Sequence, residues 1–263
     1  MDKKTLKSLI YKAASLLLLA IFLCTSVFIY LQKSFGWFSD NDEVSASGIS
    51  VQSGTGAAID IAMSYAKFGG DKTVAEIKAL TYTNIGTTAS APIFNGLLPG
   101  DKIALKLSFT NNESSVRYLT LSMLAPTEEN ETPIITSVTT SGGSSTNRYH
   151  YFGSQIRINS VGEKEINKYL LETTPLTGGF QQTYYEKPTE DDNVFNKAAN
   201  ATDIQLYTQS DSIALAGEGD TTDVIIVFEF VDNSTIQNAY INFGSQAGQL
   251  CQRTLYCTFE ETN

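Results

Sequence analysis

Leu97-Leu98-Pro99-Gly100-Asp101-Lys102-Ile103-Ala104-Leu105-Lys106-Leu107-Ser108-Phe109-Thr110-Asn111-Asn112 decides the fold class of this chain. Pro99 presets φ for a first turn position, and Gly100 accepts a positive φ at the next, with Asp101 completing the turn chemistry. Ile103, Leu105, Leu107 and Phe109 then alternate with Lys102, Ala104, Lys106 and Ser108, the period of two of a half-buried strand. After Asn111-Asn112 a second alternating run follows, with Leu119, Leu121 and Met123 on one face. The reading is strand–turn–strand, an antiparallel core hairpin and the unit of a β-sandwich.

The rest of the chain extends this pattern. Ile59, Ile61, Met63 and Tyr65 alternate as a strand, and Asp71–Leu80 fits either a short helix or a strand. Pro126–Asn147 and Thr173–Thr202 are rich in polar residues and read as long insertions, about 126–147 and 173–202, the first a loop or a weak edge strand and the second a loop. Tyr149, Tyr151, Ile156 and Ile158 suggest strands broken at Gly153, whereas Glu163–Glu172 reads as a short helix. Ile204–Tyr207 and Ile213–Leu215 are short strands. Asp223–Val231 is nearly all apolar, which predicts a central strand covered on both faces. A final strand runs from Leu250 to Phe259. The expected fold is all-β: a single jelly-roll-like antiparallel β-sandwich over 53–263, with a short helix or two in its loops.

The N-terminus has a different character. Lys3, Lys4, Lys7 and Lys12 precede an apolar run from Ala13 to Leu31, so residues 1–36 read as a signal peptide or a retained membrane anchor helix. Ser34-Phe35-Gly36 offers small residues for cleavage before Trp37, and we favour export followed by cleavage. Both alternatives leave the remainder outside the membrane, extracellular or at the cell surface. Residues 37–52 form an N-terminal arm that starts with Trp37-Phe38-Ser39-Asp40 and continues to Ile49 and Val51. Its aromatic start is costly to leave in water and calls for burial.

Charge and chemistry narrow the function. The first 36 residues hold five Lys and one Asp, which leaves 13 basic and 27 acidic side chains on the remainder, net −14. Such a surface repels phosphate backbones and excludes nucleic acid as a partner. Cys251 and Cys257 are the only cysteines outside the apolar run. A straight strand would hold them about 20 Å apart, so a disulfide requires a bulge or turn between them; paired and free states both stay open. His150, the single histidine, lies between Tyr149 and Tyr151 and is expected on a strand surface. There is no zinc-binding helix motif, no nucleophile elbow and no phosphate loop. We expect no catalytic residues, no metal site and no cofactor.

Three stretches of this sequence resemble the TasA/camelysin family, exported β-rich proteins of biofilm matrix fibres in Gram-positive bacteria. Trp37-Phe38-Ser39-Asp40 with Ser45-Ala46-Ser47-Gly48-Ile49 is similar to the family's mature N-terminus. Leu97–Asn112 resembles its Pro-Gly-Asp segment, and Asp223–Asn233 with Gln237-Asn238-Ala239-Tyr240 and Phe259-Glu260 resembles its closing strands. The resemblance implies a jelly roll exported through a dedicated signal peptidase. It also implies a non-enzymatic fibre subunit whose N-terminal arm inserts into the sheet of a neighbour. The implied partners are copies of itself or related fibre subunits, the signal peptidase, and membrane or cell-wall anchor proteins. The longer apolar run and the cysteine pair depart from the family and leave a membrane-anchored surface module as the alternative. The peptidase activity attributed to camelysins is not carried over, because its metal ligands are missing here.

Overall fold

The computed structural model describes residues 44–46, 49–53, 58–85, 93–94, 96–125, 133–139, 141–173, 176, 178–186, 202–233, 237 and 253–261. The apolar run, the cleavage site, Trp37, Phe38, Ser39, Asp40 and Cys251 lie outside these residues. The chain divides into one unit of Met1–Asn41 and another of Asp42–Asn263, to which all described residues belong.

Along the chain run β1 (Val44–Ala46), β2 (Ile49–Ser53), β3 (Ile59–Gly69), helix α1 (Val74–Lys78), β4 (Thr83–Ile85), β5 (Asp101–Asn111), β6 (Arg117–Met123), β7 (Ile134–Thr139) and β8 (Ser145–His150). A short 3-10 turn over Phe152–Ser154 leads into β9 (Ile156–Val161), β10 (Lys164–Tyr169), β11 (Tyr185–Glu186), β12 (Ile204–Tyr207), β13 (Ile213–Leu215), β14 (Asp220–Phe230) and β15 (Arg253–Glu260). The first sheet has the order β1-β2-β15-β6-β12, with β13 also on β6; the second has the order β10-β9-β14-β5-β3-β4. A third sheet, β11-β8-β7, has three strands. All pairings are antiparallel except β2 on β15. The expectation of an all-β, mostly antiparallel protein is met.

The Pro-Gly-Asp turn forms as read. The Asp101 N–H donates to the Leu98 carbonyl at 2.9 Å, and Gly100 at φ +91° takes the position where only glycine is unstrained. The Asp101 carboxylate accepts from the Leu98 N–H at 2.8 Å, and the Gly100 N–H donates to Phe230 O at 2.6 Å, tying the turn to the end of β14. From there Ile103, Leu105, Leu107 and Phe109 run down the inner face, all wholly buried. They share one core with Leu119, Leu121 and Met123 of β6, Leu255 and Phe259 of β15, and Val224, Ile226 and Phe228 of β14.

The expected hairpin is corrected: β5 and β6 lie in different sheets and meet across the core. β5 is instead paired along its length by β3 and β14. The reason lies in the connection over 112–116. Asn111 is wholly buried; its amide donates to Ser115 O at 2.8 Å and to Leu215 O at 3.2 Å, and its Oδ1 accepts from the Glu113 N–H at 3.0 Å. These bonds close a corner that turns the chain out of one sheet into the other. Alternation along two successive strands is equally consistent with facing strands as with paired ones.

β14 is central and covered on both faces, as its apolar run predicts. On the side away from the main core, Ile225 and Val227 pack with Ala104, Phe68 and Ile77 of α1. The ambiguous 71–80 segment resolves as this helix, opened by a capping box in which Thr73 and Glu76 satisfy each other's backbone N–H groups. Segment 163–172 is corrected from helix to strand. Ile166 and Leu170 are spaced to suit either period, but Gly162 at φ +55° makes a two-residue turn that returns the chain onto β9 as β10. Of the two readings of 126–147 the edge strand is the one found, as Ile134–Thr139 against Ser145–His150; the loop reading of 173–202 is corrected at Tyr185–Glu186, which pairs on the far side of the same third sheet.

The corner at 111–113 faces the turn before β14. Glu218 N–H donates to Glu113 O at 2.7 Å and Gly219 N–H to Asn111 O at 2.8 Å. A Cβ on Gly217 would stand 2.5 Å from the Glu113 carbonyl oxygen. Backbone cannot yield as a side chain can, so Gly217→Ala is expected to lower stability by about 1–3 kcal/mol in urea titration. Gly142→Ala, with nothing within 4 Å of the added carbon, should stay within about 0.5 kcal/mol of the parent.

Candidate functional site

The end of the N-terminal arm lands on a sheet edge. β2 pairs in parallel with β15, setting Ile49 against Arg253, Val51 against Leu255 and Ser53 against Cys257. β1 folds back on β2, with Val44 opposite Val51. Parallel pairing requires a long connection, and here the two strands come from opposite ends of the described chain. Val51 is wholly buried and belongs to the same core cluster as Leu255, Cys257 and Phe259. Burying a valine side chain is worth about 1.5–3 kcal/mol, and β2 also occupies the backbone groups along that edge of β15. Of the arm residues singled out from the sequence, Ile49 and Val51 therefore join the sheet of their own chain.

β15 is the base of this edge. Arg253 is 2% exposed, and its guanidinium donates to Leu170 O at 3.2 Å through Nε and 2.7 Å through Nη2. This ties β15 of the first sheet to the end of β10 in the second. Cys257 carries a free thiol turned into the core, and burial pushes its pKa up to about 12. A thiol so protected is a packing group with little thiolate at neutral pH. A Cys251–Cys257 bond is not among the described features.

The remaining sequence-marked residues take structural places. Pro99, Gly100 and Asp101 form the turn against β14, and Ile103, Leu105, Leu107 and Phe109 line the core. Among the described residues, no group of three or more His, Cys, Asp or Glu side chains is placed to hold a metal ion. Among the same residues no helix is long and apolar enough to cross a membrane.

Sequence reading missed two features. One is a cavity of about 330 Å3 between β10 and β12, lined by Glu165, Ile166, Tyr169, Asp203 and Ile204 among others. The other is the environment of His150, which is corrected from strand surface to buried, with 7% exposure. Its Nε2 stands 2.9 Å from Thr136 Oγ1 on β7 and its Nδ1 3.0 Å from Thr183 O. A carbonyl only accepts, so Nδ1 carries the proton and Nε2 accepts from Thr136. The ring also leans on Tyr184, whose face holds the Arg148 guanidinium at 4.2 Å. Tyr149 and Tyr151 flank it in sequence, and that density of aromatic neighbours was the available sign of burial.

Compared with known proteins, the chain matches no family model, no curated protein and no solved structure at a significant level.

Burial lowers the pKa of His150 below its ordinary 6.5, opposed by the bond to Thr183 O and aided by the nearby Arg148 charge. A depressed value means that the unfolded chain takes up the proton first. The contribution of the neutral ring is complete above pH 6.5 and is lost as pH falls through the lower folded value. The urea midpoint of the parent should therefore drop on acidification below pH 6.5 by more than that of His150→Gln; parallel pH profiles would refute this assignment.

Proposed function

We propose that this protein is a non-enzymatic structural subunit of an extracellular, biofilm-matrix type fibre, exported by residues 1–36. In this reading the N-terminal arm of one copy enters the first sheet of its neighbour. The observation that carries it is β2: the end of the arm supplies the β1–β2 hairpin at the margin of the first sheet, with β2 in parallel register with β15 and its Val51 filling the main core. A marginal hairpin that meets the rest of its sheet through one ladder is the kind of element that two copies can exchange. The vacated edge of β15 then takes the same strand from another copy without any new contact. Head-to-tail exchange of this kind gives filaments when its rotation does not close a ring, which is the arrangement proposed. The resemblance of Trp37–Ile49 and Leu97–Asn112 to the TasA/camelysin family, and the jelly-roll form which it implies for the two facing sheets, support the same reading. Copies of itself or related subunits are the partners, with a signal peptidase acting before assembly.

The long apolar run from Ala13 to Leu31 favours a second reading, a membrane-anchored surface module that does not polymerise by itself. The N-terminal residue of protein recovered from culture separates the two. A fibre subunit starts at Trp37 and sediments as large particles, whereas an anchored module keeps Met1 in the membrane fraction.

Arm exchange has its own test. Excess peptide of residues 37–53 should cap growth and shorten filaments in electron micrographs. Val51→Asp, which sets an ionised group in the core slot, should abolish them. Filaments of parental length with both would rule out the arm as the linker.

A further inference from the structure

We infer that β7 is a second, independent pairing edge, through which two copies of this chain join laterally by antiparallel β7–β7 pairing. Every other end strand among the described residues is blunted. β1, β4 and β13 are three residues long and β11 is two. β12 has four residues with a register shift at Gln205/Tyr207, and β10 carries Lys164, Glu165 and Lys168 with a shift between Glu165 and Lys168. Shortness, bulges and charge are the devices by which sheets avoid pairing with strangers.

β7 has none of them. Its six residues, Ile134-Ile135-Thr136-Ser137-Val138-Thr139, contain no charge, no proline and no glycine, and they run in unbroken register against β8. Among the described residues β7 pairs with β8 alone. Ile135 is 53% exposed, and Ser137 and Thr139 are exposed on the same face. Isoleucine, valine and threonine are the residues that favour extended pairing. The strand is also held rigidly from behind, by Thr136 to His150 and by the Ser137 hydroxyl to Asn147 Oδ1 at 2.7 Å. An edge already fixed in extended form loses little entropy on pairing.

Charge selects the occupant. Outside its first 36 residues this chain is net −14, so a second copy is repelled over most of its surface. At β7 it is not. With a two-fold axis at Ser137, Ile135 faces Thr139, Ser137 faces its own copy, and no like charges oppose. In sequence, Glu128, Glu129 and Glu131 lead into β7 while Ser141-Gly142-Gly143 follows it. A two-fold axis normal to the sheet makes the two β7 strands antiparallel and sets their N-terminal ends, Ile134, apart at opposite ends of the ladder. The contact is isologous and closes at two copies. It would therefore link one filament to another without lengthening either.

The test is the sedimentation mass of the protein recovered from culture, at about 100 μM, with excess 37–53 peptide present so that arm exchange stays capped. The expected result is twice the chain mass for the parent. The double variant Ile135→Lys/Ser137→Lys, at two exposed positions, should give half that mass with an unchanged circular dichroism spectrum. Ile135→Thr, which keeps an uncharged edge, should retain the doubled mass. A parent at single mass, a lysine variant at doubled mass, or loss of pairing in Ile135→Thr would each overturn the inference. Filament length without the peptide reports the arm separately, so failure of one reading leaves the other standing.

Discussion

β5 and β14 are joined over ten consecutive residue pairs, from Asn111 opposite Asp220 to Lys102 opposite Glu229. This ladder is the constraint on which the rest is arranged. It sets Leu105 against Ile226 and Leu107 against Val224 on the inner face, where the side chains of the opposite sheet meet them. On the outer face it sets Ala104 against Val227, leaving a shallow apolar seat that α1 fills with Ile77. Both ends are locked by loops that belong to the ladder itself. Gly100 bonds to Phe230 at one end, and Gly219 bonds to Asn111 at the other. Slippage of either strand by a single residue would turn its whole inner set to the outer face.

The strands themselves were legible because their chemistry is local. Period-two alternation marked β3 and β5, continuous apolarity marked β14, and Pro99-Gly100 marked the turn. What was not legible was which strands pair. Two alternating runs joined by Asn111-Asn112 look the same whether they lie side by side or face each other. The difference rests on Asn111, whose amide reaches Leu215, 104 positions away. In the same way the polar stretches 126–147 and 173–202 gave little sign of a sheet because each strand they hold is short and few of its side chains reach the main core. Both add to β8, one on each side, and only proximity in the fold reveals it.

The candidate site was legible in part for a related reason. The arm could be marked by its apolar and aromatic content, but its destination depends on β15, some 200 residues later. The inward alternation of Arg253, Leu255, Cys257 and Phe259 was visible. The burial of Arg253, however, runs against the usual behaviour of arginine, and is tolerable here because its guanidinium bonds to the Leu170 carbonyl. Likewise, the tyrosines beside His150 were a sign of burial, but its partners Thr136 and Thr183 are distant in sequence and only the fold brings them to it.

The neighbouring of β2 and β15 also orders events in time. The first two described strands to leave the ribosome, β1 and β2, can find their seat only when β15, the last described strand, has followed. Non-local pairing of this kind is slow to form, because the chain between must first be brought together. During that interval β1 and β2 remain available to whatever else can supply an edge. The order of synthesis therefore leaves this chain open at one side for as long as its own last eight-residue strand is still to come.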